Sequence, residues 1–275
     1  MESKTKQLKK DLLNWYTNNK RSFSWRNTND PWKILLIEII SQQTQINRAD
    51  TYYQKFIKRF PTPESMSKSS LKTILKMWSG LGYNNRAKRL YESSKLLAEQ
   101  GFEGIYPNFE ILPGVGSYTK NAILSFAYGD NVLAVDTNLQ RIIIRYFGID
   151  NTKDYLREYS DLLLESIKSE DLNQAFMDFG SSICTSSKTK CDICPLEKSC
   201  KKYFINSKNS INKFKGSNSE IRGKIVRLLL EETQISVKEV EKKIGEDGSK
   251  IITAITGLKN DGLLKISKNN IIEII

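Results

Sequence analysis

Four cysteines, Cys184, Cys191, Cys194 and Cys200, follow the pattern C-x6-C-x2-C-x5-C and are the only cysteines in the 275-residue chain. Thiols grouped this closely are too local for a disulfide framework and have the density of a metal site. With no histidine beside them, four thiolates hold either zinc or an iron–sulfur cluster, and the spacing lacks the paired C-x2-C knuckles of a zinc ribbon. Glu38 interrupts the apolar run at residues 34–40, where a charge is costly unless paired or used. In a closed site its pKa would rise, fitting it to act as a general acid. Asp136 ends the apolar Leu133-Ala134-Val135 and precedes Thr137-Asn138, a position suited to capping a helix. Between these two, Leu112-Pro113-Gly114-Val115-Gly116-Ser117 makes a tight turn before a helix, and its outward N–H groups form an anion-binding nest. Histidine is absent from the whole chain. That excludes Ser-His-Asp and Cys-His nucleophiles and leaves acid–base work to carboxylates, lysines, tyrosines or cysteines.

The elements that must position these groups are helical. Leu8, Leu12, Leu13, Trp15 and Tyr16 form an apolar stripe over residues 5–20, and Asp30-Pro31 is an N-cap followed by proline at the first helical position. From Trp32 to Pro107, helical stripes alternate with breaks at Pro61, Pro63, Gly80, Gly82, Gly101 and Gly104, with no long period-2 strand. A second helical block over residues 137–182 leads into the cysteines, so the fold class is mainly α. Residues 201–218 hold five lysines and no acid among many Ser and Asn, and 205–218 is assigned as a flexible basic linker. Residues 219–275 form a separate unit of three helices, over 220–232, 236–244 and 249–260. Two short apolar segments then flank Asn269-Asn270 as a hairpin. The balance of 43 basic against 31 acidic residues, +12 in net charge, favours a polyanionic partner, nucleic acid first and anionic membrane second. No stretch approaches about 18 uninterrupted apolar residues, so no membrane span is expected. The front of the chain lacks a signal peptide's apolar core, and the local cysteines suit a reducing compartment, so a cytoplasmic location is expected.

Several motifs, in order, resemble the MutY-type adenine DNA glycosylases of the endonuclease III, or helix-hairpin-helix, superfamily. Asp178-Phe179-Gly180 through Ile183-Cys184, with Cys191, Cys194-Pro195-Leu196 and Cys200, is similar to that group's [4Fe-4S] loop. Leu112–Gly116 with Val135-Asp136 downstream matches its hairpin and catalytic aspartate, and Glu38-Ile39-Ile40-Ser41-Gln42-Gln43-Thr44 matches its E-x-x-x-Q-Q-T segment. Trp25-Arg26, Pro31, Trp78-x-Gly80-Leu81-Gly82-Tyr83, Arg86-Ala87 and Arg89 agree as well. The resemblance spans residues 12 to about 204. It implies a two-lobed helix-hairpin-helix glycosylase fold with one [4Fe-4S] cluster on the four cysteines. Glu38 would protonate the departing purine and Asp136 would stabilise positive charge at C1′. Tyr118 stands where bifunctional relatives carry a Schiff-base lysine, which implies a monofunctional enzyme using water, Lys120 being no substitute. Gln42, Gln43, Thr44, Tyr83, Asn84 and Arg86, with the nest Gly114, Val115 and Gly116, would meet the DNA. The expected domains are 29–135 (helical barrel with the hairpin), 1–28 with 136–204 (cluster domain), the 205–218 linker and 219–275.

The chain departs from the pattern in four places. The hairpin's first arm is short, with five residues between Pro107 and Pro113, so its leading helix should be truncated. No proline lies between Gly129 and Asp136. Asn84 replaces the tyrosine expected after Gly-Leu-Gly-Tyr. In place of a Nudix-like domain, residues 219–275 resemble a winged helix-turn-helix, whose third helix carries Lys250 and Lys259 and serves either DNA or a protein partner. The expected partner is double-stranded DNA with a mismatch or lesion, bound by a monomer. The activity implied is removal of adenine opposite 8-oxoguanine or guanine. Thymine or uracil removal at mismatches with guanine is the nearest alternative, and a catalytically silent DNA-binding regulator is the third. The four tryptophans read as packing residues.

Overall fold

Asp30 and Pro31 start the helix that carries Glu38. Proline at the first helical position gives up only an N–H that has no intrahelical partner, and Asp30 Oδ1 accepts the N–H of Trp32 at 2.9 Å. Helix α2 (Pro31–Ser41) therefore begins where the dipeptide predicts. The computed structural model describes residues 1–204, 216–232 and 234–275, and most of the expected basic linker lies outside them. Two compact units emerge.

The first unit comprises Met1–Glu38, Pro107–Glu110 and Val115–Lys208. It contains α1 (Glu2–Asn19), α7 (Ser117–Ile123), α8 (Thr137–Phe147), α9 (Lys153–Leu164) and α10 (Ser169–Ser182). Its core joins Leu8 and Leu12 of α1 to Leu139 and Ile143 of α8 and to Phe176 and Phe179 of α10, all fully or almost fully buried. Trp15 meets Phe179 edge-on at 5.1 Å. After α7 the chain continues through a π-turn, Leu124–Tyr128, and leaves it at Gly129 in the left-handed conformation with φ 72°. The following extended stretch is pinned by side chains. Buried Asn173 accepts the N–H of Ala134 at 3.0 Å and donates to the carbonyl of Val132 and to Ser125 Oγ, both at 3.0 Å. Asn121 donates to the carbonyl of Leu133 at 2.9 Å. These bonds tie residues 115–135 to α10, whereas the sequence expectation places them with the barrel domain ending at residue 135.

The second unit comprises Ile39–Tyr106, Ile111–Gly114 and Asn209–Ile275. Helices α3 (Ile46–Arg59), α4 (Pro63–Ser67), α5 (Leu71–Trp78) and α6 (Asn85–Ile105) pack around Phe56, Phe60 and Trp78, each at most 2 % exposed. Helix α6 is kinked at Gly101, whose φ of 69° no side-chain-bearing residue adopts cheaply. The C-terminal part runs α11 (Asn218–Glu231), β1 (Ile235–Ser236), α12 (Val237–Ile244), α13 (Gly248–Asn260), β2 (Leu264–Ile266) and β3 (Ile271–Ile274). The expected hairpin forms with Leu264 opposite Ile274 and Ile266 opposite Ile272, and Asn270 turns it with φ 55°. The sheet order β1-β3-β2 adds one strand that the sequence did not reveal, because two residues are too few to show a period. These elements give the winged-helix order of helices and strands. The hairpin's short first arm is a single 3₁₀ turn, Phe109–Ile111, as its length predicts. Among the described residues no helix is long and apolar enough to cross a membrane.

Candidate active site and nucleic-acid interface

Glu38, Tyr118 and Asp136 come together in the first unit. Glu38 lies near the end of α2, Tyr118 in the first turn of α7, and Asp136 at the N-cap of α8. The Tyr118 hydroxyl and the Glu38 carboxyl share a hydrogen bond, with Asp136 close enough to raise both pKa values. Burial, opposed by the Tyr118 hydrogen bond and helped by the Asp136 charge, pushes Glu38 up to about 7. The Glu38 side chain keeps some solvent access while its carboxyl lies deep among packed atoms, as a concave site requires. Burial also drives Tyr118 well above its ordinary value, so the phenol stays a neutral donor.

Asp136 holds the expected cap and more. Its Oδ1 accepts the N–H of Leu139 at 2.7 Å, and its Oδ2 accepts Asn138 Nδ2 at 2.6 Å. Burial raises its pKa, and these bonds pull against that rise. Asn138 is itself held, since its Oδ1 accepts from Arg141 at 2.6 Å. Arg141 continues to the carbonyl of Gly180 at 2.7 Å and to the carbonyl of Cys184 at 2.8 Å. Gly180 leaves room for this chain: a Cβ there would lie 2.5 Å from Asn138 Cβ. Arg141 and Asn173 were missed from the sequence because their partners lie on other elements, and Asn138 because an asparagine two residues after a capping aspartate carries no signal of its own. An acid poised near neutrality, a second carboxylate and a neutral phenol suit departure of a base from an oxocarbenium-like sugar. The amine nearest in sequence, Lys120, pairs with Glu110 at 3.1 Å.

The four cysteines ring one pocket of the same unit, with Ile142, Phe179, Ile183 and Leu196 among its apolar walls. Donors already face the sulfurs: Arg145 Nη1 lies 3.4 Å from Cys184 Sγ, and the N–H of Lys202 lies 3.3 Å from Cys200 Sγ. Such contacts stabilise thiolates. Among the described residues no three Cys, His, Asp or Glu groups converge as ligands of a single ion. Four thiols around one pocket are a donor set that fits an iron–sulfur cluster or a zinc ion.

The residues expected at DNA lie mainly in the second unit. Gln42 donates to the carbonyl of Gly114 at 3.3 Å, joining the α2–α3 turn to the hairpin. Gly114 has φ 87°, and a Cβ there would lie 3.2 Å from Arg89 Cβ, so only glycine fits without strain. Val115 is buried, while Gly116 N-caps α7 with no side chain to obstruct its N–H groups. Gln43 and Tyr83 both have left-handed backbones, with φ 53° and 46°, and Tyr83 is 59 % exposed. Asn84 is half-buried at the N-cap of α6. Arg86 differs from expectation. It is 7 % exposed, and its guanidinium donates to the carbonyls of Ile39, Ile40, Gln42, Leu81 and Gly82 and to the Thr44 hydroxyl. Burial lowers its pKa to about 10, and Nε is the one buried side-chain polar atom without a partner among the described residues. Arg86 and Thr44 therefore shape the turn that presents Gln42 and Gln43. Trp32 and Trp78 are core residues, Trp15 packs against the core, and Trp25 stacks on Phe23 at 4.3 Å.

Comparison with known proteins agrees with this geometry. Residues 36–165 match the model of the HhH-GPD superfamily base excision DNA repair proteins. A solved thermostable thymine-DNA glycosylase is 32 % identical with a TM-score of 0.67, covering 73 % of this chain and 97 % of that one. This chain belongs to the HhH-GPD superfamily. Within the superfamily it is 41 % identical over 210 residues to the adenine DNA glycosylase of Buchnera aphidicola subsp. Baizongia pistaciae, covering 73 % of this chain and 60 % of that protein. It is 29 % identical over 270 residues to the adenine DNA glycosylase of Mycolicibacterium smegmatis, covering 93 % and 92 %. The chain thus spans less than two thirds of the Buchnera protein's length. The superfamily match runs from inside α2 to the end of α9 and contains Glu38, the hairpin, Tyr118 and Asp136.

Proposed function

We propose that this chain is a monofunctional DNA glycosylase of base excision repair. It extrudes adenine mispaired with 8-oxoguanine or guanine and hydrolyses the N-glycosidic bond. The observation that carries this reading is the buried Glu38 carboxyl, held near 7 and hydrogen-bonded to Tyr118 beside Asp136. Extrusion is required because the sugar carbon and the purine ring are out of reach inside the stack. Protonated Glu38 gives its proton to a ring nitrogen of the purine, and the bond from C1′ breaks with its electron pair leaving on the base. Asp136 stabilises the cation left on the sugar. Water oxygen then bonds C1′ and its surplus proton leaves to a carboxylate. Tyr118 offers no amine to form a Schiff base, so the sugar–phosphate strand stays intact. The adenine glycosylase relatives and the Gln42-Gln43-Thr44 run support adenine as the base removed.

Cys184, Cys191, Cys194 and Cys200 would hold one [4Fe-4S] cluster, which when bound ties the loop around a fixed core. Gly114, Val115 and Gly116 would hold a phosphate, and double-stranded DNA with a mismatch or lesion would be the partner of a monomer in a reducing cytoplasm, on the nucleoid. The thymine-DNA glycosylase at 32 % identity favours a second reading, thymine removal opposite guanine. The test is incubation with duplexes carrying A:8-oxoG, A:G, T:G or U:G, followed by alkali. Breaks at A support the first reading, breaks only at T or U replace it with the second, and none anywhere refutes both. Iron analysis with visible absorbance separates a cluster from colourless zinc.

A further inference from the structure

We propose that α11 of the C-terminal domain is one wall of a groove that grips a DNA strand, so that this domain extends the DNA surface of the second unit itself. The groove encloses about 1110 Å³, above the roughly 300–1,000 Å³ of small-molecule pockets, which suits a polymer. One side carries Gln42, Gln43 and Tyr83, and the other is the α11 face bearing Arg222, Lys224 and Arg227. Six arginine and lysine side chains line it against two carboxylates. Most of these cations are engaged: Arg222 pairs with Asp261, Lys224 with Glu220 and Glu246, and Arg48 and Arg86 with carbonyls. Arg89 and Arg227, one on each wall, are exposed and have no ion-pair or hydrogen-bond partner among the described residues. The stem of Arg89 lies against Gly114, which fixes where its head can reach.

Solvated guanidinium groups on facing walls suit phosphates. An exposed tyrosine ring beside two glutamines suits bases, whose faces stack on aromatics whatever their sequence. An acidic peptide would meet the cations but leave that ring unused. The inference rests on the glycosylase reading only in taking DNA as the polyanion.

The test uses the full chain and fluorescent duplexes with an A:G mismatch, titrated by anisotropy across a salt series. Arg227→Ala and Arg89→Ala should each weaken binding several-fold and flatten the dependence of log affinity on log salt by about one unit. Arg227→Lys should restore the slope, and Lys238→Ala, exposed on α12 outside the groove, should change neither quantity. Methylphosphonates placed in one strand or the other should erase the Arg227 effect in the strand the groove holds. Wild-type affinity and slope in Arg227→Ala, or an effect indifferent to methylphosphonates in both strands, overturns the proposal. Base release is scored in parallel. Excision with an inert Arg227 removes the groove and leaves the glycosylase, while Arg227-dependent binding without excision does the reverse. Absence of DNA binding removes both.

Discussion

Asp136 and Asp178 are two aspartates withdrawn from water in the first unit, and they are held in opposite ways. Asp178 is fully buried between Arg21 and Arg26, each 2.7 Å from Oδ1. Burial alone would raise its pKa, but Arg26, the N–H of Arg21 and the Arg21 guanidinium outweigh it, and the carboxyl sits below its ordinary value. Asp136 receives an N–H and an amide but no direct cation, and burial leaves it above its ordinary value. A carboxylate neutralised by two guanidinium groups ties α10 to the 21–26 loop and has no field to spare. One held by neutral dipoles keeps its charge available to a cation that appears only during reaction. On the proposed mechanism, the same side chain is a fastener in one place and a reagent in the other.

The largest expected effect falls on the reagent. Asp136→Asn should keep the fold and DNA binding but lower base release by about 10³-fold, measured by alkali cleavage in single turnover; undiminished release would end its catalytic role. Asp178→Asn should do the converse, costing about 3 kcal/mol of stability by leaving two arginines unpaired, with little change in rate per folded molecule. Its folded pKa is depressed, so the stabilisation is present above the unfolded value near 4. It should be lost as pH falls through the folded value, and urea midpoints at pH 7 and pH 3 in wild type and variant read the difference. Glu38→Gln should lower release by about 10²-fold. On the proposed mechanism Glu38 acts while protonated, and burial pushes its pKa up to about 7, so the wild-type rate should decline as pH rises through that value. The variant should lack this limb, and an unchanged profile would assign the limb elsewhere. The smallest effect belongs to Asn138→Ala, about tenfold. Removing a hydrogen bond that lowers the Asp136 pKa should shift the acidic limb to higher pH.

The reagent was easier to read from the sequence than the fastener. Glu38 shows itself as a charge inside an apolar run, and Asp136 as a cap ahead of a helix, both local features. The role of Asp178 depends on Arg21 and Arg26 more than 150 residues away, and no spacing announces such a pair. Arg86 misled for a related reason. The resemblance counts Arg86 among the residues that would meet DNA, and only tertiary packing shows five carbonyls around it. The α11 wall was equally hidden, since the helix looks like an ordinary amphipathic one until α5 and the Tyr83 turn are placed against it. The winged-helix hairpin was legible from two apolar segments and an asparagine turn.

Gly180 has a consequence for anyone engineering this protein. A buried glycine inside a 14-residue helix invites replacement by alanine, which ordinarily strengthens a helix by about 1 kcal/mol. Here the added methyl would occupy the space of the Asn138 side chain. A design ranked by helix propensity would therefore choose, at this position, a substitution that displaces the side chain holding Asp136.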